Sequence, residues 1–139
     1  SYINGGENIG FSRNMPLIGF AQAGGEKYFN ATGHPASASW DEIPFPALGD
    51  PHAYALEISD GSMEPVYRDG DIMVVSPFAN IRRGDRVLVR TTGSEIMAKQ
   101  LQRRSARKVD LLSFNSLDGD RTLNVEEVEW MSRIVWASQ

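Results

Sequence analysis

From Tyr54 onward the chain alternates between short apolar runs and glycine-centred turns, and that alternation constrains the fold more than any other feature. Tyr54-Ala55-Leu56-Glu57-Ile58 puts Tyr54, Leu56 and Ile58 on one side, the period-two signature of a strand. Asp69-Gly70-Asp71 reads as a turn into a second strand, Ile72-Met73-Val74-Val75. Arg83-Gly84-Asp85 turns into Arg86-Val87-Leu88-Val89-Arg90, and Thr92-Gly93-Ser94 makes a hairpin into Ile96-Met97-Ala98-Lys99-Gln100-Leu101. Val109 to Leu112 and Val128 to Trp136 complete the set. One short helix is expected near Met63–Tyr67. Many short strands with glycine turns predict a mainly β domain with little helix.

Upstream the pattern is weaker. Residues 1–14, with Asn4-Gly5-Gly6 and Asn8, read as a flexible lead-in, and residues 15–139 as one domain. An apolar run, Pro16-Leu17-Ile18-Gly19-Phe20-Ala21, ends in Ala23-Gly24-Gly25. Residues 26–52 read as loop, punctuated by Gly33, Pro35, Pro44, Pro46, Gly49 and Pro51 and anchored by Tyr28, Phe29, Trp40 and Phe45.

A chain of 139 residues is long enough to bury a core without disulfides. It has no cysteine, which removes thiol chemistry and cysteine metal sites and fits a reducing cytoplasm. Its two histidines, His34 and His52, sit beside Pro35 and Pro51 in loop-like contexts, so neither a histidine triad nor a metal site is expected. The net charge of −4 does not suggest a nucleic-acid-binding piece, and the local basic clusters, from Arg82-Arg83 to Arg107-Lys108, read as solvated strand and turn surface. No apolar run approaches the ~18–20 residues that span a bilayer. The polar opening shows no signal peptide and lacks a start methionine, as expected of a piece whose preceding part is absent.

Two segments suggest chemistry. Gly61-Ser62-Met63-Glu64-Pro65 follows a strand at a tight turn, where a serine hydroxyl can stand exposed with backbone N–H groups around it. Such a hydroxyl is a weak nucleophile and needs an adjacent base. Among the three lysines, Lys27, Lys99 and Lys108, Lys99 stands out: alternation puts it on the face of Met97 and Leu101. It is either a side chain snorkelling over an apolar rim or a partly buried amine, and burial favours the neutral form that a general base requires. A Gly-Ser-Met triplet alone is most often a plain turn.

Taken together, Ser62-Met63-Glu64-Pro65, Asp69-Gly70-Asp71, Arg83-Gly84-Asp85 and Met97-Ala98-Lys99-Gln100-Leu101 resemble, in order and spacing, the catalytic domain of the LexA, UmuD and phage CI-type repressor family. The resemblance covers about residues 15–136. Pro16 to Gly24 is similar to the family's self-cleavage segment, which ends in Ala-Gly. The family more often has glycine two positions before the serine; here Asp60 stands there and Gly61 adjoins Ser62.

The resemblance implies a LexA-like peptidase fold of short twisted strands and hairpins. It implies Ser62 as nucleophile, Lys99 as general base, the backbone N–H groups of Ser62 and Met63 as oxyanion donors, and Ala23–Gly24 as the scissile bond. No metal or cofactor is implied. The implied partners are a second copy of the chain, its own cleavage segment as substrate, and a RecA–single-stranded DNA filament as activator, as in the SOS response. DNA would be read only by a helix-turn-helix domain ahead of this sequence, in a cytoplasmic repressor. The apolar stretch Trp130 to Trp136 is either part of a two-fold interface or a core strand. Three alternatives stay open: a non-enzymatic dimerisation or sensing domain, a type I signal peptidase-like protease, and a generic β-rich binding module in which the motifs are coincidental.

Overall fold

In a computed structural model of the chain, residues 13–20, 41–45, 51–59, 66–114 and 119–138 are described. They form nine strands: β1 (Arg13–Gly19), β2 (Asp41–Phe45), β3 (Tyr54–Glu57), β4 (Ile72–Ser76), β5 (Arg86–Thr91), β6 (Ile96–Arg104), β7 (Lys108–Leu112), β8 (Arg121–Asn124) and β9 (Val128–Ala137). All belong to one sheet in the order β2-β1-β3-β4-β9-β5-β6-β7-β8. Every neighbouring pair is antiparallel except β1 and β3, which run parallel with Leu17 opposite Ala55 and Gly19 opposite Glu57. The mainly β expectation holds, and each strand read from Tyr54 onward is present. The expected helix near Met63–Tyr67 falls mostly outside the described residues; Val66 and Tyr67 lie in a turn and a bend.

β9 joins the two halves of the sheet. Its first half pairs with β5, from Val128 opposite Thr91 to Arg133 opposite Val87. Its second half pairs with β4, from Arg133 opposite Ser76 to Ala137 opposite Met73. Each ladder has a register shift, between Val128 and Trp130 and between Ile134 and Trp136. Such irregularities sharpen local twist and bend a strand. Trp130, Ser132 and Ile134 are buried, so the Trp130–Trp136 stretch is a core strand as far as Ile134; Val135 and Trp136 are exposed.

Strict alternation sorts the core. On β5, Leu88 joins one cluster while Val87 and Val89 join another; on β4, Met73 and Val75 part from Val74 in the same way. β3 therefore reads buried at Tyr54, Ala55 and Leu56 in succession. A strand covered on both faces shows continuous rather than alternating burial. Twist accumulated over nine strands lets such a sheet curl so that its own strands cover its faces.

Two strands were not legible. β2 lies inside the stretch read as loop. Among the described residues it is an edge strand hydrogen-bonded only to β1, and an edge tolerates Pro44, which donates no ladder hydrogen bond. β8 is short, with Leu123 its one buried residue, so its sequence carries no apolar alternation.

The two Gly-Asp turns are built alike. Gly70 and Gly84 occupy the left-handed third position of a turn, with φ of 88° and 92°. Asp71 N–H donates to Arg68 O at 2.9 Å and Asp85 N–H to Arg82 O at 3.0 Å. Each aspartate carboxylate reaches back in turn: Asp71 Oδ2 accepts from Arg68 N at 2.9 Å, Asp85 Oδ2 from Arg82 N at 2.8 Å. Each turn then grips the chain beside it, just past the end of β3 in one case and within β6 in the other. Gly70 N–H donates to Ile58 O and Ile58 N–H to Asp71 O; Gly84 N–H donates to Leu101 O and Leu101 N–H to Asp85 O. The space around both glycines is open to a Cβ, so alanine meets only the backbone cost of positive φ. Gly84→Ala is expected to destabilise the fold by about 1–2 kcal/mol, read from the urea midpoint at unchanged slope.

Burial pushes the phenols of Tyr54 and Tyr67 above their usual range, Tyr54 furthest; the Arg86 hydrogen bond and charge pull Tyr67 part of the way back. Because the folded values are raised, this stability is complete below the unfolded phenol value, about pH 10. It is lost as pH climbs beyond that, since the unfolded chain releases its protons first. Urea midpoints are therefore expected to fall above about pH 10, and less steeply in Tyr54→Phe, with Tyr67 supplying the remainder.

Candidate functional site

Lys99 lies on β6, an interior strand flanked by β5 and β7, opposite Val87. Its neighbours on that face, Val87, Met97 and Leu101, belong to one apolar cluster, and Lys99 itself is only 6% exposed. That figure decides between the two readings of its pattern: Lys99 does not snorkel, whereas Lys108 is exposed. Lys99 Nζ donates to the carbonyl of Gly119 at 3.5 Å. Gly119 has φ 74° and leads into Asp120, whose Oδ1 accepts from Ser113 N at 2.9 Å. The connection between β7 and β8 is thus stapled where it meets the lysine. No carboxylate forms an ion pair with Lys99 among the described residues.

Ser62, Met63, Ala23 and Gly24 lie outside the described residues, as do Asp60 and Gly61. The strands that lead to them are described, and their pairing is informative. β1 ends at Gly19, four residues before Ala23; β3 ends at Glu57, five before Ser62. The two strands are parallel, with Gly19 opposite Glu57, so both leave the sheet at one end. β4 starts from that end, because Ile72 faces Glu57, and β9 finishes there, with Ala137 opposite Met73. β5 starts further in: Val87, its second residue, faces Lys99 on one side and Arg133 on the other, and Arg133 also lies opposite Ser76, the last residue of β4. The strands thus send the cleavage-like segment and the serine segment off one end of the sheet, with Lys99 on β6 level with the other end of β4.

The Gly-Asp turns lead into β4 and β5. One clamps Ile58, on the way from β3 to Ser62; the other clamps Leu101, two residues beyond Lys99. Gln100 Nε2 adds a 3.0 Å hydrogen bond to Gly84 O. Sequence reading took these dipeptides as punctuation and missed the clamp, although the shared Arg-x-Gly-Asp pattern of Arg68–Asp71 and Arg82–Asp85 was available. It also missed the Gly119 carbonyl, for which no sequence signal exists.

His52 is exposed and packs edge-on against Phe78, with ring centroids 5.0 Å apart. No cluster of three or more histidine, aspartate or glutamate side chains that could hold a metal occurs among the described residues.

The sequence pattern of the Peptidase S24-like family matches residues 16–135, and the chain belongs to that family. At family level this makes it a serine protease or autoprotease of the LexA, UmuD and phage CI type. No curated protein matches the sequence significantly.

A buried lysine with no ion pair among the described residues can be exchanged for an apolar side chain of similar length without orphaning a partner's charge. Lys99→Met is therefore expected to hold or raise the urea midpoint, and Lys99→Glu to lower it; a large loss in Lys99→Met would mean that the amine is a structural tie.

Proposed function

We propose that this chain is the self-cleaving peptidase and dimerisation domain of a LexA-like or phage-type repressor. Ser62 is the nucleophile, Lys99 its general base and Ala23–Gly24 the scissile bond. The observation that carries the reading is the parallel pairing of β1 with β3, which sends the substrate segment and the nucleophile segment off the same end of the sheet. The family match and the burial of Lys99 support it further.

In the mechanism, the neutral Lys99 amine accepts the Ser62 proton as the serine oxygen attacks the Ala23 carbonyl. Backbone N–H groups of Ser62 and Met63 stabilise the tetrahedral oxyanion. Lys99 then protonates the departing Gly24 amine, and water resolves the acyl-enzyme. Substrate and nucleophile share one chain, so loop geometry sets the effective concentration. Regulation is a shift between docked and undocked populations of the cleavage segment, with a RecA–single-stranded DNA filament as the activator. DNA is read by a helix-turn-helix domain preceding this sequence, and pairing of two copies matches a two-fold operator. The exposed Val135 and Trp136 offer apolar surface for that pairing. The workplace is the cytoplasm; among the described residues no helix is long and apolar enough to cross a membrane.

The test follows the intact mass of the purified chain at about pH 7 and pH 10, beside Ser62→Ala and Lys99→Ala. A lysine acts as a base only when neutral, and its unperturbed value is about 10.4, so cleavage is expected to be faster at the higher pH. Circular dichroism at each pH keeps alkaline unfolding separate. The expected products are residues 1–23 and 24–139, absent from both variants. A folded wild-type chain that stays intact at both pH values, and with RecA filaments, would instead favour a non-enzymatic dimerisation domain, the reading to which Asp60 in place of glycine points.

A further inference from the structure

The net charge of −4 conceals a strong local asymmetry. The β6–β7 hairpin tip carries Arg103, Arg104, Arg107 and Lys108, all exposed. Arg104 Nη2 donates to Ile81 O at 3.4 Å, which draws the turn bearing the exposed Arg82 and Arg83 alongside. Arg103, Arg104 and Lys108 share one rim, with Arg82 and Arg83 on the adjoining turn and Arg107 on the other side of the hairpin. The tip that presents them is preorganised: Ser105 Oγ accepts from Arg107 N at 3.3 Å and from Lys108 N at 3.1 Å, and Ser105 N–H donates to Lys108 O at 2.9 Å.

Between hairpin and sheet lies an open recess of about 450 Å³, lined by Arg103, Arg104, Ser105, Lys108, Asp110 and Thr122. Asp110 is its one acidic group among the described residues, and it is already engaged: Arg103 Nε lies 3.6 Å from Oδ2, and Thr122 Oγ1 donates to Oδ1 at 2.9 Å. Nearby acids among the described residues are few. Asp85 is taken by the Arg82 N–H and by Arg133, 3.5 Å away, and Glu126 flanks Arg107 on the far side of the hairpin. Among the described residues no aromatic or large aliphatic side chain lines the recess, so these residues offer no anchor pocket of the kind that dominates protein–protein interfaces, nor an apolar wedge for a lipid surface. Arginine-rich, polar and preorganised, it fits a row of phosphates.

We infer that this rim is a docking surface for the phosphate backbone of nucleic acid, bound without base readout. It is separate from the Ser62–Lys99 reading and stands or falls without it. Side chains that touch only phosphate hold any sequence alike, and their contribution fades with salt as counterions are no longer released.

The test is fluorescence anisotropy of the 139-residue chain with labelled random-sequence duplex and single-stranded DNA, over about 50–200 mM salt. Expected is weak, sequence-indifferent binding that falls steeply with salt. Arg103→Glu/Arg104→Glu should weaken it at least tenfold and flatten the salt slope by about two, while Arg103→Lys/Arg104→Lys retains most of it. Arg68→Glu, a charge reversal at another exposed arginine, should change it little. The relative affinity of the two DNA forms tells which backbone geometry the rim prefers. Absence of salt-sensitive binding, an equal loss in Arg68→Glu, or tighter binding to anionic lipid vesicles than to either DNA would overturn the assignment.

Discussion

The structure depends on one strand being shared. β9 hydrogen-bonds to β5 through its first half and to β4 through its second, so the β5–β8 meander and the β1–β4 group become one sheet only through it. Trp130 and Ile134, buried on it, lie in the cluster that also takes Leu56, Met73 and Leu88, which carries the core across the join. A strand that closes the fold from the far end of the sequence makes long-range contacts, and these form late and slowly. The register shifts in its two ladders bend the strand where it passes from one partner to the other.

Much of this was legible, and the physical reason is alternation. Tyr54–Glu57, Ile72–Ser76, Arg86–Thr91 and Ile96–Arg104 carry apolar residues where a pleated strand buries them, and glycine with aspartate marks the reversals between them. Legibility fails where burial stops deciding the residue. Edge strand β2 tolerates a proline, and β8 needs one leucine. Even a recognised hairpin held a surprise: after Thr91 the left-handed residue is Ser94, φ 66°, rather than the adjacent Gly93. Ser94 N–H donates to Thr91 O, and its Oγ accepts from Arg90, contacts that hold it there.

Of the candidate site, sequence could name Lys99 but could not say whether it snorkels or is buried, because pattern alone does not tell an edge strand from an interior one. Its place between β5 and β7 supplies the answer. The Gly119 carbonyl beside Nζ was beyond reach, since any residue offers a carbonyl and only the chain path brings this one near. The paired clamps on Ile58 and Leu101 use the same local device twice, once just after β3 and once beside Lys99 on β6. Neither clamp consumes a side chain of the proposed dyad, so the device and the chemistry can vary separately.

The position of β1 has a consequence for what a cut accomplishes. β1 lies inside the sheet, bonded to β2 on one side and β3 on the other. Severing the chain at Ala23–Gly24 would place β1 in one fragment and both of its neighbours in the other. The two pieces would still be zipped together by backbone hydrogen bonds and by Met15 and Ile18, both buried. Hydrolysis and separation are then distinct events: the nick makes the product, but peeling an interior strand out of its sheet sets when the halves part.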